Sequence, residues 1–471
     1  EMVETILNER PHIELIKRSR YLLMFMAKYK LIKKQHLWML WNCCSGKHDS
    51  LVRVTYNIIS EISTLLSEAQ NDYIFTRILE VPQEDYDEVF LQLVKDFTFK
   101  AIYVASRNSE FNNKWYGVHI LKELMLDSNK LGMWGTATKH FTEVMKMPFC
   151  QELRLNFLRE VPEYIARNNS VPQILKFFMG LFKGRLNILN QEEDQFTLEE
   201  KSNLKNLVLG NLIDYLAVAR TQATDNNQDS VLVGRFSHEI NIKKRLEFLE
   251  FLFQYSATQV KVQIQEYESL WRNFVESPVM NKDTETFYIW LTKGIKNQSP
   301  VTVDQCEEFF ERFYLNDLKM PSEKINTTAF LSFRWLFLKV NSLKGNIVGE
   351  ERFKLRKTTK CEGFAKLVDI CLYSPDQFAV QESSKLIIGL VTRLERTIIE
   401  DSEKILSEFT QVLIQKVKAE SCKEQIVEKG LRVLKLLLNE EEAPNKATIV
   451  YVKEVKSKEF KQVLVDMNKN I

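Results

Sequence analysis

The sequence predicts an all-α protein, a solenoid of helix pairs of the armadillo or HEAT type. Three observations predict it. Apolar residues recur at three- and four-residue steps almost throughout, which places them on one side of helix after helix. Only 14 Gly and 10 Pro occur in 471 residues, too few for the turn-rich sandwiches and Rossmann sheets. The stripes form roughly twenty short segments, more than one core accommodates, so stacked pairs of about 40 residues are the better arrangement.

Taken in order, Leu51, Val54, Ile58 and Ile62 form one stripe, with Asp49 as its expected N-cap. Tyr86, Phe90, Leu93 and Phe97 form another, and Leu204, Val208, Leu212 and Tyr215 a third. Thr197 followed by Glu200 reads as a capping box ahead of that third stripe. Ile242, Leu246, Leu249 and Phe253 continue the rhythm, and Val427, Leu431, Leu434 and Leu438 close it. Prolines at 11, 82, 148, 162, 172, 278, 300, 321 and 375 read as helix starts or short links. Two polar stretches, 221–235 and 341–360, read as longer loops. The expected organisation is a first solenoid part over 1–220, a connecting loop over 221–236, and a second part over 237–443.

Beyond the acidic run before Pro444 the period changes. Thr448, Val450 and Val452 alternate with Ile449 and Tyr451, and "KQVLVDM" follows. This is a β-hairpin pattern. A lone hairpin is marginal in water, so 447–471 reads as the opening of an incomplete β domain, and the chain as a fragment.

Charge and cysteine usage narrow the class. Lys and Arg number 65 against 63 Asp and Glu, a net charge of +2. No strong field follows, and nucleic acid is not an expected partner. Seven Cys lie without regular spacing, which suits a reducing compartment rather than a disulfide framework. No signal peptide is visible, and the apolar run "YLLMFMAKY" is too short to span a bilayer. A cytoplasmic or nuclear protein without a membrane span is expected.

No phosphate-binding glycine loop, HExxH, CxxC or GxSxG occurs, and no cofactor or metal is expected. Cys43 and Cys44, with His36 and His48 nearby, are the one place where thiol chemistry is worth weighing. The simpler reading is a helix end with Gly46 as its C-terminal cap. Cys150, Cys306, Cys361, Cys371 and Cys422 sit in apolar helix patterns and read as core thiols. The tryptophans at 38, 41, 115, 134, 271, 290 and 335 mostly read as core. The basic run Arg352, Lys354, Arg356, Lys357 and Lys360 reads as a solvated loop.

"GRFSHE" at 234–239 packs Arg235, Ser237, His238 and Glu239 together. Adjacent Ser and His side chains diverge at a helix start and form no dyad. Ser237 reads as an N-cap, Glu239 as a first-turn charge suited to the helix dipole, and Arg235 and His238 as ties to a neighbouring helix.

The same stretch resembles a segment of the fat-facets-type large ubiquitin-specific proteases, Ser-Arg-Tyr-Ser-His followed by Arg-Leu-x-Phe-Leu-x-Phe-Leu. The matching residues are Arg235, Phe236 in place of Tyr, Ser237, His238, Arg245, Leu246, Phe248, Leu249, Phe251 and Leu252. Val233-Gly234 stands where the family has Gly-Ser. "HLWMLWNCCSGKHDSLVRV" resembles that family's Gly-Lys-His-Glu stretch through Gly46, Lys47, His48 and Asp49. The segments starting at Cys306 and Leu367 agree in order and spacing.

The resemblance implies an armadillo-like scaffold that precedes a ubiquitin-like domain and a protease domain, with the terminal hairpin where the ubiquitin-like domain begins. It implies a cysteine-type deubiquitinase as parent and ubiquitinated substrates or regulators as partners. It places no catalysis here: none of the seven Cys follows the family's Asn-Thr, and no His box is present. The alternative is a free-standing helical adaptor in trafficking or signalling.

Overall fold

A computed structural model describes residues 2–7, 12–44, 48–105, 116–126, 133–168, 170–182, 198–226, 232–233, 236–255, 262–296, 305–349, 353–356, 361–394, 398, 402–419 and 423–437. Two compact units, Glu1–Phe251 and Leu252–Ile471, make up the chain.

In the first unit the helices are α1 (Met2–Ile6), α2 (Ile13–Lys28), α3 (Lys34–Asn42), α4 (Asp49–Ile62), α5 (Glu68–Leu79), α6 (Glu88–Ala105), α7 (Val118–Leu126), α8 (Trp134–Met145), α9 (Gln151–Ala166), α10 (Val171–Phe182) and α11 (Leu198–Asn226). Helix α12 (His238–Tyr255) carries the boundary between the units. Alternate helices touch: α2 packs on α4, α4 on α6, α6 on α8, and α8 on α10, while α7 fills against α8 and α9 against α11. Each helix therefore buries its stripe against the next pair, the packing a repeat array requires. The stripes account for it. Phe90, Leu93 and Phe97 are buried, as are Leu204, Val208, Leu212 and Tyr215. In α4 the buried face is Leu51, Thr55, Ile58, Ile59 and Ile62.

The second unit continues with α13 (Ile264–Trp271), α14 (Asn281–Lys296), α15 (Cys306–Phe309), α16 (Thr327–Leu343), α17 (Phe364–Tyr373), α18 (Gln377–Thr392), α19 (Ser402–Ala419) and α20 (Glu424–Leu437). Helices α14 and α16 pack together, as do α17 and α18, and α19 and α20. Helices α13 and α15 each run into a π turn, Arg272–Glu276 and Phe310–Tyr314. An aromatic core forms there: Trp271 meets Phe313 and Tyr314 at ring distances of 5.1 and 5.3 Å.

Caps set the helix starts. Ser67 and Gln70 form a reciprocal capping box on α5, and Asn326 and Asp376 accept the third amide of α16 and α18, each at 3.0 Å. Each such cap contributes about 1 kcal/mol.

The structure differs from the sequence reading at four places. His48, not Asp49, caps α4: its Nδ1 accepts the Ser50 amide, and Asp49 is the first helical residue. The expected loop at 221–235 is helical as far as Asn226, because the apolar face of α11 carries its last turns through polar residues. Beyond it, β1 (Leu232–Val233) and β2 (Phe236–Ser237) pair antiparallel. The expected loop at 341–360 instead closes β3 (Ile347–Val348) on β4 (Lys354–Leu355), with Ile347 and Leu355 buried. Pro162 lies inside α9, where it removes one helical N–H donor, rather than at a helix start. Thr197, Pro11, Pro300, Trp115, Cys422, Leu438 and the hairpin at 447–471 lie outside the described residues, as do Arg352, Lys357 and Lys360 of the basic run.

Candidate functional site

The stretch that resembles the protease family folds into a buried polar network in the first unit. Ser237 Oγ accepts the Ile240 amide at 3.4 Å and so caps α12. His238 is turned inward, and its Nδ1 shares a hydrogen bond with the Tyr215 hydroxyl of α11 at 2.9 Å. Asn241 Nδ2 donates back to the carbonyls of Phe236 and Ser237, at 3.1 and 3.2 Å. Phe236 stands edge-on against Trp134 of α8 at 5.4 Å.

Arg245 is the centre of the network. One helical turn after Asn241, it is only 1% exposed. Its Nη1 donates to Asn241 O and Oδ1, both at 2.9 Å, and its Nε to Asn211 Oδ1 at 2.8 Å. The guanidinium lies over the Tyr215 ring at 4.8 Å. Asn211 in turn donates to Ile165 O and Asn168 Oδ1 at the end of α9, each at 3.2 Å. Burial away from water lowers the Arg245 pKa from the usual 12.5 to about 10, so the guanidinium is charged at neutral pH. Leu246, Phe248 and Leu249 are buried beside it, and Phe178 of α10 meets Phe248 and Phe251 edge-on. Three helices are thus clamped by one cation and two amides. Nothing in the cluster is a nucleophile facing a base: the Ser237 hydroxyl is spent on its cap and the His238 ring on Tyr215.

Sequence reasoning singled out Ser237, His238 and Arg245 but missed Asn211, Asn241 and Tyr215 as their partners. The available signal was an amide on an apolar stripe: Asn211 precedes Leu212, and Asn241 precedes Ile242. Arg235 of the same motif lies outside the described residues, as do Gly46 and Lys47 of the Gly-Lys-His motif.

The thiols are placed for packing. Cys43 is buried at the end of α3, and its Sγ donates to Met39 O at 3.2 Å. Burial pushes the Cys44 thiol up to about 12, the opposite of what a nucleophile needs. Nearby His48 is occupied with Ser50. Burial also raises Cys150 to about 11 and Cys361 to about 12. Cys306 and Cys371 are buried. Among the tryptophans, Trp271 and Trp290 are buried, Trp41, Trp134 and Trp335 are half-buried, and Trp38 is 49% exposed.

In the second unit, Glu307, Glu311 and Glu362 bring carboxylate oxygens within 4.8 Å of one another, the one such group among the described residues. Lys344 bonds both Glu307 and Glu362. A hydrogen bond with Glu362, together with burial, holds Glu311 above the usual carboxylate range. The cation already present is the lysine. A groove of about 680 Å³ between α18 and α20 is lined by Gln377, Gln381, Lys385, Gln425 and Arg432. A second, of about 480 Å³, lies around Gly363, Lys366, Asp369 and Phe409. No described helix is long and apolar enough to cross a membrane.

The family described as "UBP24/USP9X/USP9Y ARM repeat" matches residues 175–341, which contain the Arg245 network from α10 onward. Ubiquitin carboxyl-terminal hydrolase 9X of Mus musculus is 22% identical over 433 residues, 86% of this chain and 16% of its own length. Ubiquitin carboxyl-terminal hydrolase 9Y of Homo sapiens is 20% identical over 86% of this chain and 16% of its own. The Drosophila melanogaster protein named probable ubiquitin carboxyl-terminal hydrolase FAF is 19% identical over 69% of this chain. This chain thus spans about one sixth of the length of the first two relatives, 16% in each case. The crystal structure of Kap121p bound to Pho4p aligns at a TM-score of 0.44 and 11% identity, covering 97% of this chain and 47% of that one. Over residues 175–341 the chain is thus similar to that ARM repeat, and along most of its length to these ubiquitin carboxyl-terminal hydrolases.

Proposed function

We propose that this chain is the non-catalytic helical scaffold of a large deubiquitinating cysteine protease, working in the cytoplasm or nucleus and holding substrates or regulators of the protease. One observation supports it above the others. The described residues of the shared motif around Arg245 are engaged in capping and packing: Ser237 caps α12, His238 and Arg245 bond α11, and Phe248 packs on α10, with Arg245 at 1% exposure. A motif spent on packing marks a scaffold that must hold its shape, and a stack of helix pairs offers long surfaces to protein partners.

The experiment uses the purified chain with a ubiquitin–aminocoumarin reporter. No cleavage is expected. Cleavage that vanishes when any one cysteine is changed to Ala overturns the non-catalytic part. The parent is tested separately by the coding sequence downstream of Ile471. A ubiquitin-like domain and a Cys box support the deubiquitinase. A stop codon shortly after Ile471 overturns it in favour of a free-standing adaptor.

A further inference from the structure

The pocket of about 480 Å³ in the second unit carries more negative than positive charge. Three elements wall it: the turn at Leu315 and Asp317, the start of α17, and the middle of α19. Further helices lie on both sides of these elements in the chain, α14 and α15 before them and α20 after.

The charged side chains of the pocket are Asp317, Lys366, Asp369, Glu408 and Lys416, three carboxylates against two ammonium groups. Both ammonium groups are already held. Lys366, only 5% exposed, donates to Asp317 Oδ1 and to Met320 O, each at 2.5 Å. Lys416 donates to Asp369 Oδ1 at 2.5 Å. Glu408 is left over: it is half-buried, and no described side chain pairs with it. Burial holds the Asp369 carboxyl above the usual carboxylate range even with Lys416 bound to it. Partly buried carboxylates short of a cation are costly, and a cation brought from outside relieves them. The rest of the wall is apolar. Phe364 and Phe409 meet at 4.2 Å, and Leu315 and Val412 line the same pocket.

We infer that this pocket takes an arginine side chain from an exposed segment of a partner protein. A guanidinium is flat and weakly hydrated, so it lies against an aromatic wall while its fork bonds carboxylates. A lysine ammonium is compact and strongly hydrated, and gains less from such a wall. The rim suits a peptide better than a free small molecule. Asp317 is 77% exposed, and Leu318 next to it is 94% exposed, an apolar contact for the residues that flank the arginine. The pocket takes this side chain whether the parent protein is a protease or a free adaptor, since every group in it belongs to this chain.

The test uses the full chain and a short fluorescein-labelled peptide with one arginine between leucine and serine residues, read by anisotropy. Saturable binding is expected, about tenfold or more weaker when citrulline, the neutral isostere, replaces the arginine. Glu408→Gln removes the unpaired charge, and Ala365→Phe fills the pocket from an exposed position in the first turn of α17. Each weakens binding by about fivefold or more. Neither breaks a lysine–aspartate pair, so both keep the helical circular dichroism of the parent chain. Four results overturn the inference: no binding, equal affinity for the citrulline peptide, equal affinity for the same peptide with lysine, or binding unmoved by both variants. Agmatine that binds as tightly as the peptide overturns the partner segment and assigns the pocket to a free guanidinium compound.

Discussion

Replacing Arg245 is the sharpest test of the claim that the shared motif is structural. In Arg245→Ala the carbonyl oxygens of the Asn211 and Asn241 side chains lose a buried donor, and stranding such an acceptor costs about 1–3 kcal/mol each. The cation over Tyr215 contributes about 1 kcal/mol, and the vacated stem volume adds a cavity term of about 1–2 kcal/mol. Against these stands the expense of burying the charge. A pKa brought from 12.5 down to about 10 corresponds to about 3 kcal/mol that the fold no longer carries once the guanidinium is gone. The net loss is about 3 kcal/mol: the stranded acceptors outweigh the relief, but not by the full sum of the broken contacts.

The measurement is native-state hydrogen exchange resolved by segment, because the chain has two units and a single melting curve mixes them. Protection in α11 and α12 should fall by the stated amount, with α17 and α18 unaffected. Arg245→Lys keeps the charge but not the fork, and loses about 2 kcal/mol. A cycle with Asn211→Ala gives a coupling of about 1–2 kcal/mol. If Arg245→Ala costs less than about 1 kcal/mol by the same reckoning, the network does not hold the helices together, and the motif needs another explanation.

Three further outcomes follow from the same geometry. Gly363→Ala forces a side chain onto φ +79°, with its Cβ 2.8 Å from the Phe310 ring, and lowers the stability of the second unit by about 2 kcal/mol or more; unchanged hydrogen-exchange protection in α17 would refute this. Cys44, Cys150 and Cys361 resist iodoacetamide in the folded chain up to about pH 10, since burial raises all three thiols, and they react at ordinary rates in urea; fast alkylation of Cys44 at neutral pH would revive the thiol reading of the Cys43–Cys44 pair. Glu311→Gln raises hydrogen-exchange protection in the second unit at pH 7. The folded pKa of Glu311 lies above its free value, so the wild-type carboxylate favours folding at low pH and loses that advantage as pH rises through the folded pKa. The gain therefore vanishes near pH 4, and equal protection at pH 7 would count against it.

The helical architecture was legible because period and punctuation agree in most segments. Leu204, Val208, Leu212 and Tyr215 are buried as their spacing requires, and Ser237 caps a helix as its type and position require. The misreadings share a cause. Polarity alone does not mark a loop: α11 persists through 221–226, and at 347–355 a pair of buried side chains, Ile347 and Leu355, closes a short hairpin. His48 and Asp49 compete for one capping position, and local propensity alone does not decide between an imidazole nitrogen and a carboxylate one residue later.

The polar interior was legible only by half, and the reason bears on how such a site is recognised. Ser237 and His238 look chemical because reactive residue types stand side by side, but a catalytic group needs a partner across space whose own valences are free. The partners here are structural: Tyr215 and Asn211 of α11 hold His238 and Arg245, Asn241 of α12 itself also holds Arg245, and the α9 terminus holds Asn211. Tyr215 and Asn211 stand 23 and 34 positions upstream of the residues they hold, beyond the reach of any local motif. A cluster so closed does not react. What it does is fix the relative pitch of α9, α11 and α12, and in a stacked array each pair rests on its neighbours.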